Sequence, residues 1–210
     1  MVRGFFSMDG CPLCKKEPSA KFQLCEGCLS GLSFLGEEIL TEKTFPVYAL
    51  LRENKLSRTM IHGFKFREER FWAEIFGEMA ADFLETVFID FDVITCVPTS
   101  EKKRRIRGHN PPEGIARDVA ARRGVDFCDA LVLKKKVKDQ IGLSARVREA
   151  NVRGAFAARG VRNRRVLLID DTYTTGATLR ACREALVAAG AAAVTGLVCI
   201  KASDVAYDDL

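Results

Sequence analysis

The sequence predicts an α/β fold: a mainly parallel sheet flanked by helices, led by a small N-terminal metal knuckle. Three observations point there. From Phe91 onward, short β-branched runs alternate with helical stretches, the pattern of a parallel sheet covered by helices. A strand-sized run, Val166-Leu-Leu-Ile169, leads into Asp170-Asp171 and a hydroxyl-rich turn before the next helix. Four cysteines stand as two Cys-x-x-Cys pairs.

The 210 residues, 48% of them hydrophobic, allow one good core and a small appendage. The expected division puts the metal module and linker in 1–44 and the main domain in 45–210, with a helical hood over about 45–90 and the core over 91–210. Cys11 and Cys14 are separated from Cys25 and Cys28 by ten residues. Two such hairpins bring four thiolates to the corners of a tetrahedron about 2.3 Å from one Zn²⁺, a closed structural site. Two disulfides, or an iron–sulfur cluster, are the alternatives. The segment has few large apolar residues beyond Phe22 and Leu24, so a metal would supply most of its folding energy. Cys96, Cys128, Cys182 and Cys199 are isolated in apolar stretches and read as core.

After the knuckle, residues 29–44 read as a connecting segment and 45–51 as a strand. From about Arg67, the apolar residues Phe71, Trp72, Ile75, Phe76, Met79, Phe83 and Val87 recur at three- and four-residue steps, one buried face of a helix. Strands are then expected at 93–97, 130–133, 166–169 and 194–200, and helices at 113–123 and 179–189, with Pro111-Pro112 delaying the first of these helices. The polar stretch 134–165 has too little apolar pattern for core, and connections of that length are usually functional, so a lid is expected.

The chemistry is concentrated at Asp170-Asp171-Thr172-Tyr173-Thr174-Thr175-Gly176-Ala177-Thr178. Hydroxyls and a glycine at a strand-to-helix turn direct backbone N–H groups and side-chain donors into one concavity at a helix N-terminus, where a phosphate dianion is well held. The two acids before it accept hydrogen bonds from sugar hydroxyls, so the run fits a ribose 5-phosphate. Capping of the turn alone is the bland reading of Asp-Asp-Thr. The net charge is +5, gathered in three clusters: Lys102, Lys103, Arg104, Arg105 and Arg107; Lys134, Lys135, Lys136 and Lys138; Arg162, Arg164 and Arg165. An anionic partner follows. The longest apolar runs fall far short of the roughly 20 residues that cross a bilayer, and Met1-Val-Arg-Gly-Phe-Phe6 lacks the apolar stretch of a secretory signal. No membrane span and a cytoplasmic location are expected.

Val166-Leu-Leu-Ile-Asp-Asp-Thr-Tyr-Thr-Thr-Gly-Ala-Thr-Leu179 resembles the phosphoribosyl-pyrophosphate signature of type I phosphoribosyltransferases. With the leading cysteine knuckle, Tyr48, Phe64-Lys65-Phe66, Val97-Pro98, Arg107-Gly-His-Asn110, Gln140-Ile-Gly-Leu-Ser144 and Asn151-Val-Arg-Gly-Ala-Phe156 in that order, nearly the whole chain resembles the ComF family of competence-associated proteins. The resemblance implies a type I phosphoribosyltransferase-like fold. Asp170 and Asp171 then hold the 2- and 3-hydroxyls of ribose, Thr174, Thr175, Gly176, Ala177 and Thr178 bind its 5-phosphate, and Thr172 is a further substrate-binding residue. Pro98, Thr99 and Ser100 lie against pyrophosphate, which Arg104, Arg105 and Arg107 neutralise. Lys134, Lys135, Lys136, Lys138 and Gln140 belong to a mobile loop that closes over the leaving group.

The implied reaction is loss of Mg²⁺-pyrophosphate from the anomeric carbon, through a sugar resembling the oxocarbenium-like species of glycoside cleavage. His109 stands where the family usually has phenylalanine, and Pro111 where it usually has glutamine. His109 reads as a surface residue, with an acid or base role as its alternative. Two functions are expected to compete: a phosphoribosyltransferase with an unidentified acceptor, and a non-catalytic module that senses a phosphoribosyl ligand while binding single-stranded DNA or DNA-uptake proteins. Aromatics do not interleave with the basic clusters, which favours the pocket over a DNA surface. A knuckle that carries the function by itself is the weakest option, given the intact turn.

Overall fold

The computed structural model describes residues 10–16, 21–42, 44–67, 69–135 and 150–203. Its centre is a five-stranded sheet in the order β1-β2-β7-β6-β3, built from β1 (Phe34–Glu42), β2 (Phe45–Arg52), β3 (Val93–Cys96), β6 (Arg165–Tyr173) and β7 (Ala193–Lys201). β1 and β2 form an antiparallel hairpin, and the β2–β7, β7–β6 and β6–β3 pairs are parallel. The expected mainly parallel α/β sheet is therefore the one observed.

Along β6 the side chains alternate between two buried faces, as a central parallel strand requires. Leu167 and Ile169 join one apolar cluster with Trp72 and Phe76 of α3 (Phe71–Thr86) and Ile115 and Val119 of α5 (Pro111–Arg123). Val166 and Leu168 join the other, with Leu179, Cys182 and Leu186 of α6 (Ala177–Ala188). Trp72 is 1% exposed, and its truncation to alanine costs about 3–5 kcal/mol. The knuckle packs on the α3 side, where Cys11, Phe22, Leu24 and Cys28 enter the first cluster.

Five expectations about elements change. Residues 29–44 are more than a connection: α1 (Glu26–Ser30) is followed by β1, whose two register shifts against β2 break the simple alternation that marks a strand in sequence. A second helix, α2 (Lys55–Phe66), buries Ser57, Met60, Gly63 and Phe64. Two of those four are small residues that carry no apolar signal, so its buried stripe is silent in the sequence. Asn54 opens it with a capping box, accepting the Ser57 N–H at 2.9 Å while the Ser57 hydroxyl accepts the Asn54 N–H at 2.8 Å.

The basic run after Ser100 forms α4 (Glu101–Arg107), which buries none of its residues. Pro111 and Pro112 begin α5 instead of delaying it, because the first helical turn needs no N–H from proline and its φ is already helical. Finally, β4 (Leu131–Leu133) leaves the main sheet and pairs antiparallel with β5 (Phe156–Ala158), a strand of only three residues inside the stretch read as polar connection.

Candidate functional site

Parallel strands direct ligands to their carboxyl ends, and here the ends of β3 and β6 open into a cleft of about 540 Å³. β6 supplies Asp170, Asp171 and Thr172, and the turn beyond it Thr174 and, at the start of α6, Thr178. Val97, Pro98, Thr99 and Ser100, after β3, line the facing wall. α4 adds Lys103 and Arg107, and α2 adds Arg58, Ile61, His62, Lys65 and Phe66. Those five α2 positions are spaced as one helical stripe.

The turn is held by backbone geometry. Gly176 has φ +73°, the left-handed region, and a Cβ there would lie 2.8 Å from the Tyr173 ring. Arg180 donates to the Thr175 carbonyl at 2.7 Å and closes the turn from behind. Thr175, Gly176 and Ala177 do not line the cleft and shape the turn around Thr174 and Thr178. The facing wall is fixed by Asn110, 7% exposed, whose amide donates to the Val97 carbonyl at 3.1 Å. Its Oδ1 is buried without a hydrogen-bond partner among the described residues. Ser100 caps α4 by accepting the Lys103 N–H at 3.3 Å.

The acids are not equivalent. The Lys65 ammonium lies 2.7 Å from Asp171 Oδ1 and donates to Thr172 Oγ1 at 3.1 Å. Asp170 Oδ1 accepts the Asp171 N–H at 2.8 Å. Burial, and then the neighbouring Asp171 carboxylate, push Asp170 up to about 8, against the smaller downward pulls of that N–H and of Lys65.

The structure brings together only part of the expected set. Arg107 reaches the cleft, with its guanidinium 5.1 Å from the centre of the Phe66 ring. Arg104 pairs with Glu113 at 3.1 Å and Arg105 with Glu101 at 3.7 Å, and neither lines the cleft. Lys135 donates to the Arg153 carbonyl at 2.6 Å, and neither it nor Lys134 is a lining residue. Lys136, Lys138 and Gln140 lie outside the described residues. His109 packs its ring 5.3 Å from Phe64, with Nδ1 2.7 Å from the Arg107 carbonyl. It is a packing residue off the cleft wall rather than the surface residue expected. Lys65, Lys103 and Asn110 were missed as site residues. Lys65 stands 107 positions from Thr172, and no local spacing links the two.

At the N-terminus the sulfurs of Cys11, Cys14, Cys25 and Cys28 lie within 4.8 Å of one another, and all eight cysteines are free. Burial acts to raise both Cys11 and Cys28. In Cys28 the other three sulfurs add to it, whereas backbone N–H groups of Cys25, Cys14 and Leu13 bring Cys11 down to about 6. Four convergent sulfurs with backbone donors around them are a donor set that can hold a metal ion and suits zinc.

Fold and site define a mainly parallel α/β protein with an acid-and-hydroxyl turn at the carboxyl edge of its sheet and a four-cysteine cluster in front. No family model matches the chain. It is similar over most of its length to the competence protein ComFC of Bacillus subtilis, at 28% identity over 87% of this chain and 73% of that protein. It is similar to ComFC of Streptococcus pneumoniae at the same identity, over 87% and 76%. The resemblance to the ComF family is thus borne out.

Among solved structures, the glutamine phosphoribosylpyrophosphate amidotransferase of B. subtilis matches 60% of this chain at 26% identity and a TM-score of 0.42. This chain spans a quarter (25%) of that protein's length. The orotate phosphoribosyltransferase of Mycobacterium tuberculosis, in complex with phosphoribosyl pyrophosphate, matches 70% of this chain and 66% of its own at 18% identity and a TM-score of 0.39.

Proposed function

We propose that the cleft binds phosphoribosyl pyrophosphate with Mg²⁺ and that the protein transfers the phosphoribosyl group to an acceptor not yet identified. One observation supports this above the rest: the acid pair, the hydroxyls of the turn, the Pro98-Thr99-Ser100 wall and the cations Lys103 and Arg107 all face one cleft. Asp170 and Asp171 accept from the ribose hydroxyls. Thr174 and Thr178, at the N-terminus of α6, take the 5-phosphate. Lys103 and Arg107 neutralise pyrophosphate as the bond from C1 to its oxygen breaks and a lone pair of the acceptor forms the new bond at C1. Mg²⁺, bound with the substrate, supplies further charge to the departing oxygens. No side chain is required as a nucleophile.

In the same reading Cys11, Cys14, Cys25 and Cys28 hold a structural Zn²⁺ with all four positions filled by protein. Among the described residues no helix is long and apolar enough to cross a membrane; we place the protein in the cytoplasm, serving competence, as the names of its relatives suggest, or nucleotide metabolism. Incubation with phosphoribosyl pyrophosphate, Mg²⁺ and a panel of acceptors is expected to release pyrophosphate, and Asp170→Asn with Asp171→Asn to abolish the release. Silence with every acceptor refutes catalysis.

The outer side of α4 favours a second reading, a ligand-sensing module that binds single-stranded DNA or a DNA-uptake protein. Arg104 and Arg105 are 62% and 83% exposed there. DNA affinity that falls steeply with salt, and that is lost on charge reversal of Lys102 to Arg107, supports it. Indifference to both rules it out.

A further inference from the structure

We infer that Lys65 is a positioning residue of the cleft: bonded to both Asp171 and Thr172, its ammonium fixes the Asp171 carboxylate as the acceptor aimed at the ligand and sets it apart from Asp170. The inference rests on the reading that this pair grips a ribose. It assigns a role from α2 to a site otherwise built from the ends of β3 and β6.

The geometry carries it. Two adjacent carboxyls in a half-closed cleft repel when both are ionised, and the cheaper state keeps one proton between them. A single cation settles which carboxyl keeps it. Lys65 Nζ is 2.7 Å from Asp171 Oδ1, with both side chains mostly out of solvent, at 19% and 11% exposed. Its second bond, to Thr172 Oγ1 at 3.1 Å, holds the ammonium on the strand between Asp171 and Thr172. Asp170 is tethered from the other side by the Asp171 N–H on Oδ1 at 2.8 Å, which leaves its second oxygen as the group to protonate.

A vicinal diol matches this asymmetry. An ionised carboxylate only accepts, whereas a protonated carboxyl both donates and accepts. The other charged and titratable groups that line the cleft are Glu53, Arg58 and His62 on the α2 side and Lys103 and Arg107 on α4. Glu53 is engaged by Arg58 at 3.0 Å and by the Ser203 N–H at 2.9 Å. The upward shift of Asp170, driven by burial and Asp171, agrees with the division of roles.

The test uses the full chain and ribose 5-phosphate as probe, which needs neither Mg²⁺ nor acceptor, with affinity followed by calorimetry from pH 6 to 9. Lys65→Met is expected to weaken binding by about tenfold or more, the scale of a charge-assisted hydrogen bond. It should also move the midpoint of the pH profile toward the alkaline end of that range, because Lys65 no longer pulls the Asp170 proton off. Lys65→Arg should recover most of the affinity. In an Asp171→Asn background, Lys65→Met should change little further, since its effect passes through Asp171.

A Lys65→Met protein with the wild-type affinity and pH profile overturns the inference, and so does a full additive loss in the Asp171→Asn background. If Lys65→Met does not fold, Lys65→Gln makes the same comparison. Wild-type protein that fails to bind ribose 5-phosphate at any pH sinks the phosphoribosyl reading itself and this inference with it. That result comes before any variant is made, so the two failures are told apart.

Discussion

Asp170 shows how a site residue works against the stability of its own fold. Its folded value, raised by burial and by Asp171 to about 8, lies above the ordinary carboxylate value of about 4. The folded chain therefore binds this proton more tightly than the unfolded chain does. Stability is fullest below about pH 4 and is lost as pH rises toward 8. Asp170→Asn should melt higher than wild type at pH 8, with the gap closing at pH 5, as thermal scans at the two pH values will show. Such a gain, paired with loss of ligand binding, is the usual trade at a functional site. Gly176→Ala should do the reverse: the left-handed φ costs about 1–2 kcal/mol for an L-residue, and the Tyr173 ring obstructs the new methyl. Denaturant melts will read the loss. The acid pair and the turn were legible in the sequence because they are contiguous. Lys65 and Lys103 were not, because only the folded chain sets α2 and α4 over the end of β6.

At the scale of elements, the α4 cap and the knuckle each carry a prediction. Ser100→Ala removes the acceptor for the Lys103 N–H and should cost about 1 kcal/mol. The larger effect is expected on ligand affinity, because α4 brings Lys103 and Arg107 to the cleft. Calorimetry with ribose 5-phosphate, beside a denaturant melt, separates the two. The knuckle should carry one zinc per chain by elemental analysis, and chelation should lower the melting temperature by more than about 5 °C. Its sulfurs converge, and Cys11, Phe22, Leu24 and Cys28 are part of the α3-side core, so losing the metal disturbs more than the knuckle. Elements with a strong apolar pattern, α3 and β7 above all, were read correctly from sequence, whereas β6 runs on to Tyr173 through residues read as turn. α2 and β1 were not, since one hides its buried face in Ser57 and Gly63 and the other is interrupted by bulges.

At the scale of the molecule, charge sets the limits of stability at both ends of the pH range. Asp92 sits at the junction of β3 and β6, where it accepts the Arg165 N–H at 2.8 Å and the Arg165 guanidinium at 2.7 Å. The Arg165 side chain, then its backbone N–H, hold Asp92 down at about 2. A depressed carboxylate contributes stability above its unfolded value, and that contribution is lost as pH falls from about 4 toward 2. Asp92→Asn should therefore lower stability alike from about pH 5 to pH 8 and make the acid-side fall shallower, the gap to wild type closing toward pH 2, as thermal scans across pH will show. The mainly parallel class of the sheet was legible from alternating runs. The place of β2 inside it was not, because adjacency to β7 is set across most of the chain.

That adjacency governs how the protein is made. Val47 is in register with Gly196, so a strand synthesised early waits for one of the last described segments before its open side is covered. Long-range parallel pairing of this kind is slow to form, and until it does the hairpin presents a bare edge to other chains. Ribosome-bound intermediates halted before residue 193 should accordingly need chaperone protection, whereas release of β7 from the exit tunnel should trigger closure of the whole sheet.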